Sequence, residues 1–357
     1  MINKAFFENA QEVAEARGIS VEDVYEVFKK GLINSFKKKN GNTSCKAVIN
    51  PEKHEILLYA VYLVVNELSA EPDPEGPKEI LLEDAKKIKS SYKVGDIIEQ
   101  PINIKDFSRT EIGATKSVYT QGVRTKQREI AFEHFQGLEN EMITAEITNK
   151  DEKTLTLNLG YGVTSRILIN ELLPNDPREI GDSIRVYIKK VENTTKEPRV
   201  TVSRTDKQLV TRLMENYIPE IKDGTIEIKG IARDPGDRSK IALFSNDPKV
   251  DAIGSCVGEG GVRIREIVNA LGGEKVDLYK WSENPEELIT NSLQPANVTK
   301  VLSIDPKTKS SQVVVPDEHL SLAIGKSGQN VRLAVQSCGW KIDIMPVSEA
   351  YEKGLLI

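Results

Sequence analysis

Cysteine is scarce. Cys45, Cys256 and Cys338 are odd in number and far apart, so neither a disulfide framework nor a zinc knuckle can be built from them, and a reducing compartment is expected. Histidine is equally rare. His54, His134 and His319 have no cysteine or carboxylate at metal-ligand spacing, and no nucleophile motif occurs, so neither an enzyme nor a metal or other cofactor is expected. No apolar run approaches the roughly 18 residues of a membrane span, and residues 1–10 lack the basic segment and apolar core of a secretory signal. A cytoplasmic protein without membrane contact is the expectation. There is also no basic block: the net charge of −5 divides into 0 for residues 1–130, −2 for 131–210 and −3 for 211–357. A nucleic-acid ligand would have to be held by local cations, backbone donors and stacking rather than by a bulk positive field.

What is present is a foldable, modular chain. Its 357 residues exceed what one hydrophobic core usually supports, and 39% hydrophobic against 29% charged residues is a globular balance, so several compact domains are expected. Residues 4–39 carry two apolar stripes at helical spacing, Phe6, Ala10, Val13, Ala14 and then Val24, Val27, Phe28, Leu32, divided by Gly18. Ser20 with Asp23 predicts the start of the second helix, and Lys37, Lys38 and Lys39 suit its end better than they suit a nucleic-acid patch. Ile56–Val65 predicts a buried strand, Glu71–Pro77 an exposed turn, and Arg109–Phe135, free of proline, a connecting helix. Residues 141–203 alternate apolar and polar in short runs, the pattern of a small OB-type barrel, with a tight turn at Gly160-Tyr161-Gly162. In such a barrel Tyr161 and Tyr187 are candidates to stack bases, with Arg166, Lys189 and Lys190 near phosphates.

The last 150 residues contain a repeat. A hairpin over Thr225–Ser245 turns at Asp234-Pro235-Gly236-Asp237, and a short helix then leads into Gly258-Glu259-Gly260-Gly261 and a second helix. The same order recurs with a hairpin over Val298–Val315, a turn near Asp305-Pro306, and Gly325-Lys326-Ser327-Gly328. The following stripes match in phase, Ile264, Ile267, Val268, Leu271 against Val331, Ala334, Val335, Cys338, with Arg265 and Arg332 outside them at one offset. Helix, glycine-bounded loop, helix is the KH arrangement, in which the loop clamps the backbone of about four nucleotides. Glycine lets the main chain approach a phosphate, and the next helix's N-terminus attracts it. A Walker-type reading of Gly325-Lys326-Ser327 fails because Leu320 stands where that motif needs a glycine.

The runs Glu227–Ala242, through Ile231-Ala232-Arg233-Asp234-Pro235-Gly236-Asp237-Arg238-Ser239-Lys240, and Ala323–Ala334 closely resemble the NusA family of bacterial transcription elongation and termination factors. The resemblance implies a multidomain α+β chain: residues 1–136, a mixed α/β N-terminal RNA polymerase-binding domain with its connecting helix; 137–205, an S1 barrel of OB type; 206–283 and 284–348, two tandem type II KH domains; and 349–357, a tail. It implies a monomer that associates with core RNA polymerase, nascent single-stranded RNA and other antitermination factors, and that modulates pausing, termination and antitermination. The expected RNA-binding set is Gly258, Glu259, Gly260, Gly261, Arg263 and Arg265 in the first KH domain; Gly325, Lys326, Ser327, Gly328, Gln329, Asn330 and Arg332 in the second; and Tyr161 and Arg166 in the barrel. The chain departs from the family at Glu259, where a basic residue is usual, and the acidic C-terminal repeats of some relatives are not expected after Ile357. The alternative is an RNA-holding component of an RNA-processing or ribosome-associated complex. Exoribonucleases that combine KH and S1 modules place one KH before the barrel, however, and residues 1–135 are too short for their phosphorolytic domains.

Overall fold

The computed structural model describes residues 3–40, 44–69 and 76–356, which form two compact units, residues 1–134 with 194–198 and residues 135–193 with 199–357. The expected turn at Glu71–Pro77 falls largely on residues 71–75, outside the described residues.

The first unit opens with α1 (Lys4–Arg17) and α2 (Val21–Lys39). Gly18 ends α1 in the left-handed region and Ser20 caps α2 by accepting from the Asp23 N–H, as the sequence predicts. Then come β1 (Cys45–Asn50), β2 (Glu55–Val65), β3 (Lys78–Leu81), α3 (Leu82–Ile88) and β4 (Ile97–Ile102). The eleven-residue β2 is long enough to pair with all three others, antiparallel to β1 and β4 and parallel to β3. Phe7, Leu32 and Phe36 from the helices bury against Ile56, Leu58 and Ala60 of β2. The connecting helix α4 (Arg109–Gln136) follows, and Lys39 at the end of α2 is paired with its Glu111 at 3.0 Å.

In the second unit β5 (Met142–Lys150), β6 (Thr154–Gly160), β7 (Val163–Leu168), β8 (Ser183–Glu192) and β9 (Arg199–Ser203) form an antiparallel sheet in the order β7-β6-β5-β8-β9. It curls into a barrel whose outer strands meet where Ser165 Oγ donates to the Val200 carbonyl at 2.7 Å. The alternation read from the sequence is the inward set: Ile147, Leu155, Leu157, Val186 and Ile188 are all fully buried.

The first repeat comprises α5 (Lys207–Tyr217), α6 (Pro219–Lys222), β10 (Ile226–Asp234), β11 (Arg238–Ser245), α7 (Ala252–Val257), α8 (Val262–Ala270) and β12 (Lys275–Lys280). The second comprises α9 (Pro285–Ser292), β13 (Lys300–Asp305), β14 (Ser310–Val315), α10 (Leu320–Ile324), α11 (Gln329–Cys338) and β15 (Lys341–Pro346), with α12 (Val347–Glu352) closing the chain. Each repeat pairs its hairpin antiparallel and its last two strands in parallel, β11 with β12 and β14 with β15, which is the type II KH topology.

Barrel and repeats are joined by buried polar contacts. Arg204, just after β9, donates to both carboxylate oxygens of Asp176 and to the main-chain oxygens of Arg185 and Ala270, with only 2% and 1% of the paired side chains exposed. Asn175 Nδ2 donates to the Gly272 carbonyl at 2.7 Å. Between the repeats there is one shared core: Ala242 and Tyr279 of the first bury with Leu288, Ile289, Val313, Ala334 and Trp340 of the second. Gly230 of β10 lies so close to α11 that a Cβ would stand 2.0 Å from the Ser337 oxygen. Lys240 is buried at this junction, donating to the carbonyls of Ser292 and Gln294 at 2.8 and 2.7 Å, and burial pulls its ammonium down to about 8. Only four residues, 281–284, connect β12 to α9, and the joint core fixes the two repeats as one pair.

Candidate nucleic-acid interface

The two glycine loops share one backbone conformation. Gly258 has φ 74° and ψ 169°, Gly325 φ 76° and ψ 171°; Gly261 and Gly328 both sit near φ 75° as N-caps of α8 and α11. The first glycine is required twice over. Its φ is positive, and a Cβ would come within 2.8 Å of Arg263 Cγ at Gly258 and 2.7 Å of Asn330 N at Gly325. Between the glycines the sequences diverge and the geometry does not: Gly260 has φ 58° and Ser327 φ 50°, so a serine occupies the left-handed region at a cost of about 1 kcal/mol. In both loops the main chain wraps the start of a helix whose first-turn N–H groups lack an intrahelical acceptor, which is an anion-binding arrangement.

Around this frame the side chains differ. Glu259, Lys326 and Ser327 are exposed, and among the described residues neither Glu259 nor Lys326 forms an ion pair. Arg263 does not neutralise Glu259. Its Nη1 donates to both oxygens of Glu220, at 3.0 and 2.8 Å, and to the Ser255 carbonyl at the end of α7. The Glu220 carboxyl is held below its usual range, first by its own main-chain N–H and then by Arg263. Asn330 occupies the same offset in the second copy and does a related job, donating from Nδ2 to the carbonyls of Ala323, on α10, and Leu293 while only 6% exposed. The structure thus turns Arg263 and Asn330 against the chain itself, where they brace the helix–loop–helix corner. Arg265 is exposed and pairs with no carboxylate among the described residues, whereas Arg332 Nη2 donates to Asp234 Oδ2 at 2.5 Å. Gln329 Nε2 donates to Asp234 and Asp237 at 2.9 and 2.7 Å. A cleft of about 740 Å³ opens beside the first loop, lined by Asp251, Ser255, Glu259 and Arg263 among others.

On the barrel Tyr161 is 46% exposed at the tip of the β6–β7 turn with φ 53°, and Arg166 points outward from β7. Tyr187 is a correction. It is 5% exposed and its hydroxyl donates to Asn140 Oδ1 at 2.9 Å, because its ring is drawn into the core shared with α5; it has no free face for a base. Lys189 and Lys190 are paired with Asp206 and Glu192. Two features have no counterpart in the sequence reading. The first is the proximity of Asp234 and Asp237 to α11. The second is a further buried face of that helix, whose signal was Leu333, 1% exposed, standing where the first copy has the exposed Glu266.

The remaining chemistry is quiet. Burial raises the thiols of Cys45 to about 11 and Cys256 to about 12, so they are poor nucleophiles at neutral pH. No helix among the described residues is long and apolar enough to cross a membrane.

A small barrel joined rigidly to two fused KH folds, each presenting a glycine loop at a helix start, defines a modular RNA-binding class of protein. Family models match in that order: the NusA N-terminal domain over residues 5–129, the S1 RNA binding domain over 139–203, and the NusA-like first and second KH domains over 204–281 and 285–352. The transcription termination/antitermination protein NusA of Halalkalibacterium halodurans is 40% identical over 356 residues, 99% of this chain and 91% of that protein. Its namesake in Bacillus subtilis is 41% identical over 340 residues, covering 95% and 90%, and that of Thermus thermophilus 36% over 353, covering 96% and 89%. The chain belongs to the NusA family and carries its RNA-binding S1 and KH modules.

Proposed function

We propose that this protein associates with core RNA polymerase through residues 1–136, lays its barrel and KH pair along the nascent single-stranded transcript, and thereby modulates pausing, termination and antitermination. The observation that carries the RNA reading is the glycine loop built twice, with matching dihedral angles, on one rigid KH pair. The loop main chain and Lys326, Ser327, Gln329, Arg332 and Arg265 face the RNA backbone, with Tyr161 and Arg166 extending the path onto the barrel. The second loop is the stronger clamp, because Lys326 places a cation where Glu259 places an anion.

The test is binding of a labelled single-stranded RNA by the full chain at several salt concentrations. Losing one charged hydrogen bond of about 1.5–3 kcal/mol should make K326D/S327D bind about tenfold or more weakly. Lys326→Ala should lower the slope of log affinity against log salt by about 0.7, and Glu259→Ala should tighten binding. Equal affinities and slopes for all variants would remove the reading. Cross-linking of the full chain to core polymerase, mapped to residues, tests the other half: adducts confined to residues beyond 136 would contradict it.

A further inference from the structure

The hairpin turn of the first KH domain reaches the second domain's loop. Asp234 ends β10 and Asp237 precedes β11; both carboxylates accept from Gln329, the residue directly after Gly328, and Asp234 also accepts from Arg332, one turn further along the same face of α11. We propose that these two carboxylates act as a built-in competitor for RNA phosphate at the second glycine loop, so that the first KH domain sets the affinity and salt dependence of the second. The proposal rests on the RNA reading of that loop.

Three observations favour competition over simple support. The charges do not balance: two carboxylates face one guanidinium and one neutral amide, which leaves an excess negative charge beside a site meant for an anion. The pair is solvated, with Arg332 50% and Asp234 36% exposed, and such pairs are weak enough for a phosphate to displace the carboxylate. The repeat supplies its own comparison. Asp305 occupies the same turn position in the second hairpin, before Pro306, and there it accepts from the Lys307 N–H and the Thr308 hydroxyl of its own turn. Arg265, the counterpart of Arg332, has no carboxylate partner among the described residues. The arrangement therefore belongs to the junction and not to the KH fold: the shared core brings the DPGD turn to the start of α11. RNA reaching the second loop must exchange a carboxylate for its phosphate at Arg332, which disfavours loosely held polyanions more than a strand engaged along the whole pair.

The experiment uses the full chain and a fluorescein-labelled, mixed-sequence single-stranded RNA, with anisotropy titrations over a series of KCl concentrations. D234N/D237N keeps the shape of the turn and removes both charges. It should bind about three- to fivefold more tightly, the scale of one exposed ion pair released, and should steepen the salt slope by about 0.7 as Arg332 neutralises one more phosphate. Asp305→Asn, the same charge change at the equivalent turn, should alter neither. In an Arg332→Ala background D234N/D237N should no longer change the slope. Unchanged or weakened binding by D234N/D237N, with a urea midpoint equal to wild type, overturns the proposal and makes the carboxylates mere supports for Arg332. The K326D/S327D variant separates the two failures. If it loses RNA while D234N/D237N binds no more tightly than wild type, the loop binds RNA and the competitor does not exist. If it retains full affinity, the RNA reading of the loop is wrong and the proposal falls with it.

Discussion

Replacing Gly230 by alanine adds a methyl group where the structure leaves 2.0 Å to the Ser337 main-chain oxygen and 3.1 Å to its carbon. The φ of Gly230 is not among the positive ones, so alanine meets no backbone strain of its own, and the effect isolates the contact between β10 of the first KH domain and α11 of the second. An ordinary carbon–oxygen contact needs roughly 1 Å more, and the obstacle is main chain, which cannot rotate away. The helix must retreat from the sheet. Overpacking of this kind costs about 1–3 kcal/mol, and separating Tyr279 Oη from Ser337 Oγ, now 2.9 Å apart and buried, adds about 1 kcal/mol. A loss of about 3 kcal/mol at a urea slope of about 2 kcal/mol per molar lowers the midpoint by roughly 1.5 M. The assay is selective because the chain has two tryptophans: Trp340 is part of the shared core and Trp281 packs against it. Their fluorescence therefore reports on the KH pair alone. A midpoint within about 0.3 M of wild type would show that the two domains do not press together at Gly230, and the account of a single rigid unit would be wrong.

Two further outcomes follow from buried charges. Lys240 titrates at about 8 in the folded chain against 10.5 in the unfolded one, so between those values the unfolded chain holds more protons and stability rises with pH, by up to about 3 kcal/mol. Urea unfolding followed by tryptophan fluorescence should show that gain from pH 8 upward in wild type and not in Lys240→Met; parallel pH profiles would contradict the burial argument. Asp176→Ala leaves the Arg204 guanidinium buried without its carboxylate and should cost about 3–5 kcal/mol in thermal unfolding of the barrel and first KH domain, whereas a loss below about 1 kcal/mol would mean that water replaces the partner.

The asymmetry of the loops has a simple physical basis. Their backbones coincide because glycine, or a strained serine, satisfies the same dihedral angles, and the corner is braced from behind by Arg263 in one copy and Asn330 in the other. What differs is what reaches solvent between the glycines, Glu259 in one copy and Lys326 with Ser327 in the other. The change of charge there leaves the backbone as it is, so two copies of one scaffold present unlike surfaces.

Local pattern was enough for the elements themselves. The stripes of α1 and α2, the Ser20 cap, the β2 run, the alternation of the barrel and the in-phase helices of the repeat were all legible, because each depends on periodicities of two or 3.6 residues and on caps within one turn. The glycine loops were legible for the same reason: a positive φ followed by a helix start is a property of four consecutive residues. Contacts between residues distant in sequence were not. The glycines on either side mark Tyr161 as a turn residue, but nothing local shows that the Tyr187 ring is buried with its hydroxyl donating to Asn140, and nothing local turns Arg263 toward Glu220. The exchange of Glu266 for Leu333 at one offset hinted that α11 buries a second face, but only the packed structure shows that this face meets β10. It also decides that Asp234 and Asp237 stand at the second loop, about 95 residues away along the chain. Sequence alone determined which loops take this backbone conformation at a helix start, since that is fixed by backbone freedom within a few residues; tertiary packing decided which charges surround them, since Coulomb interactions depend on distance through space and not along the chain.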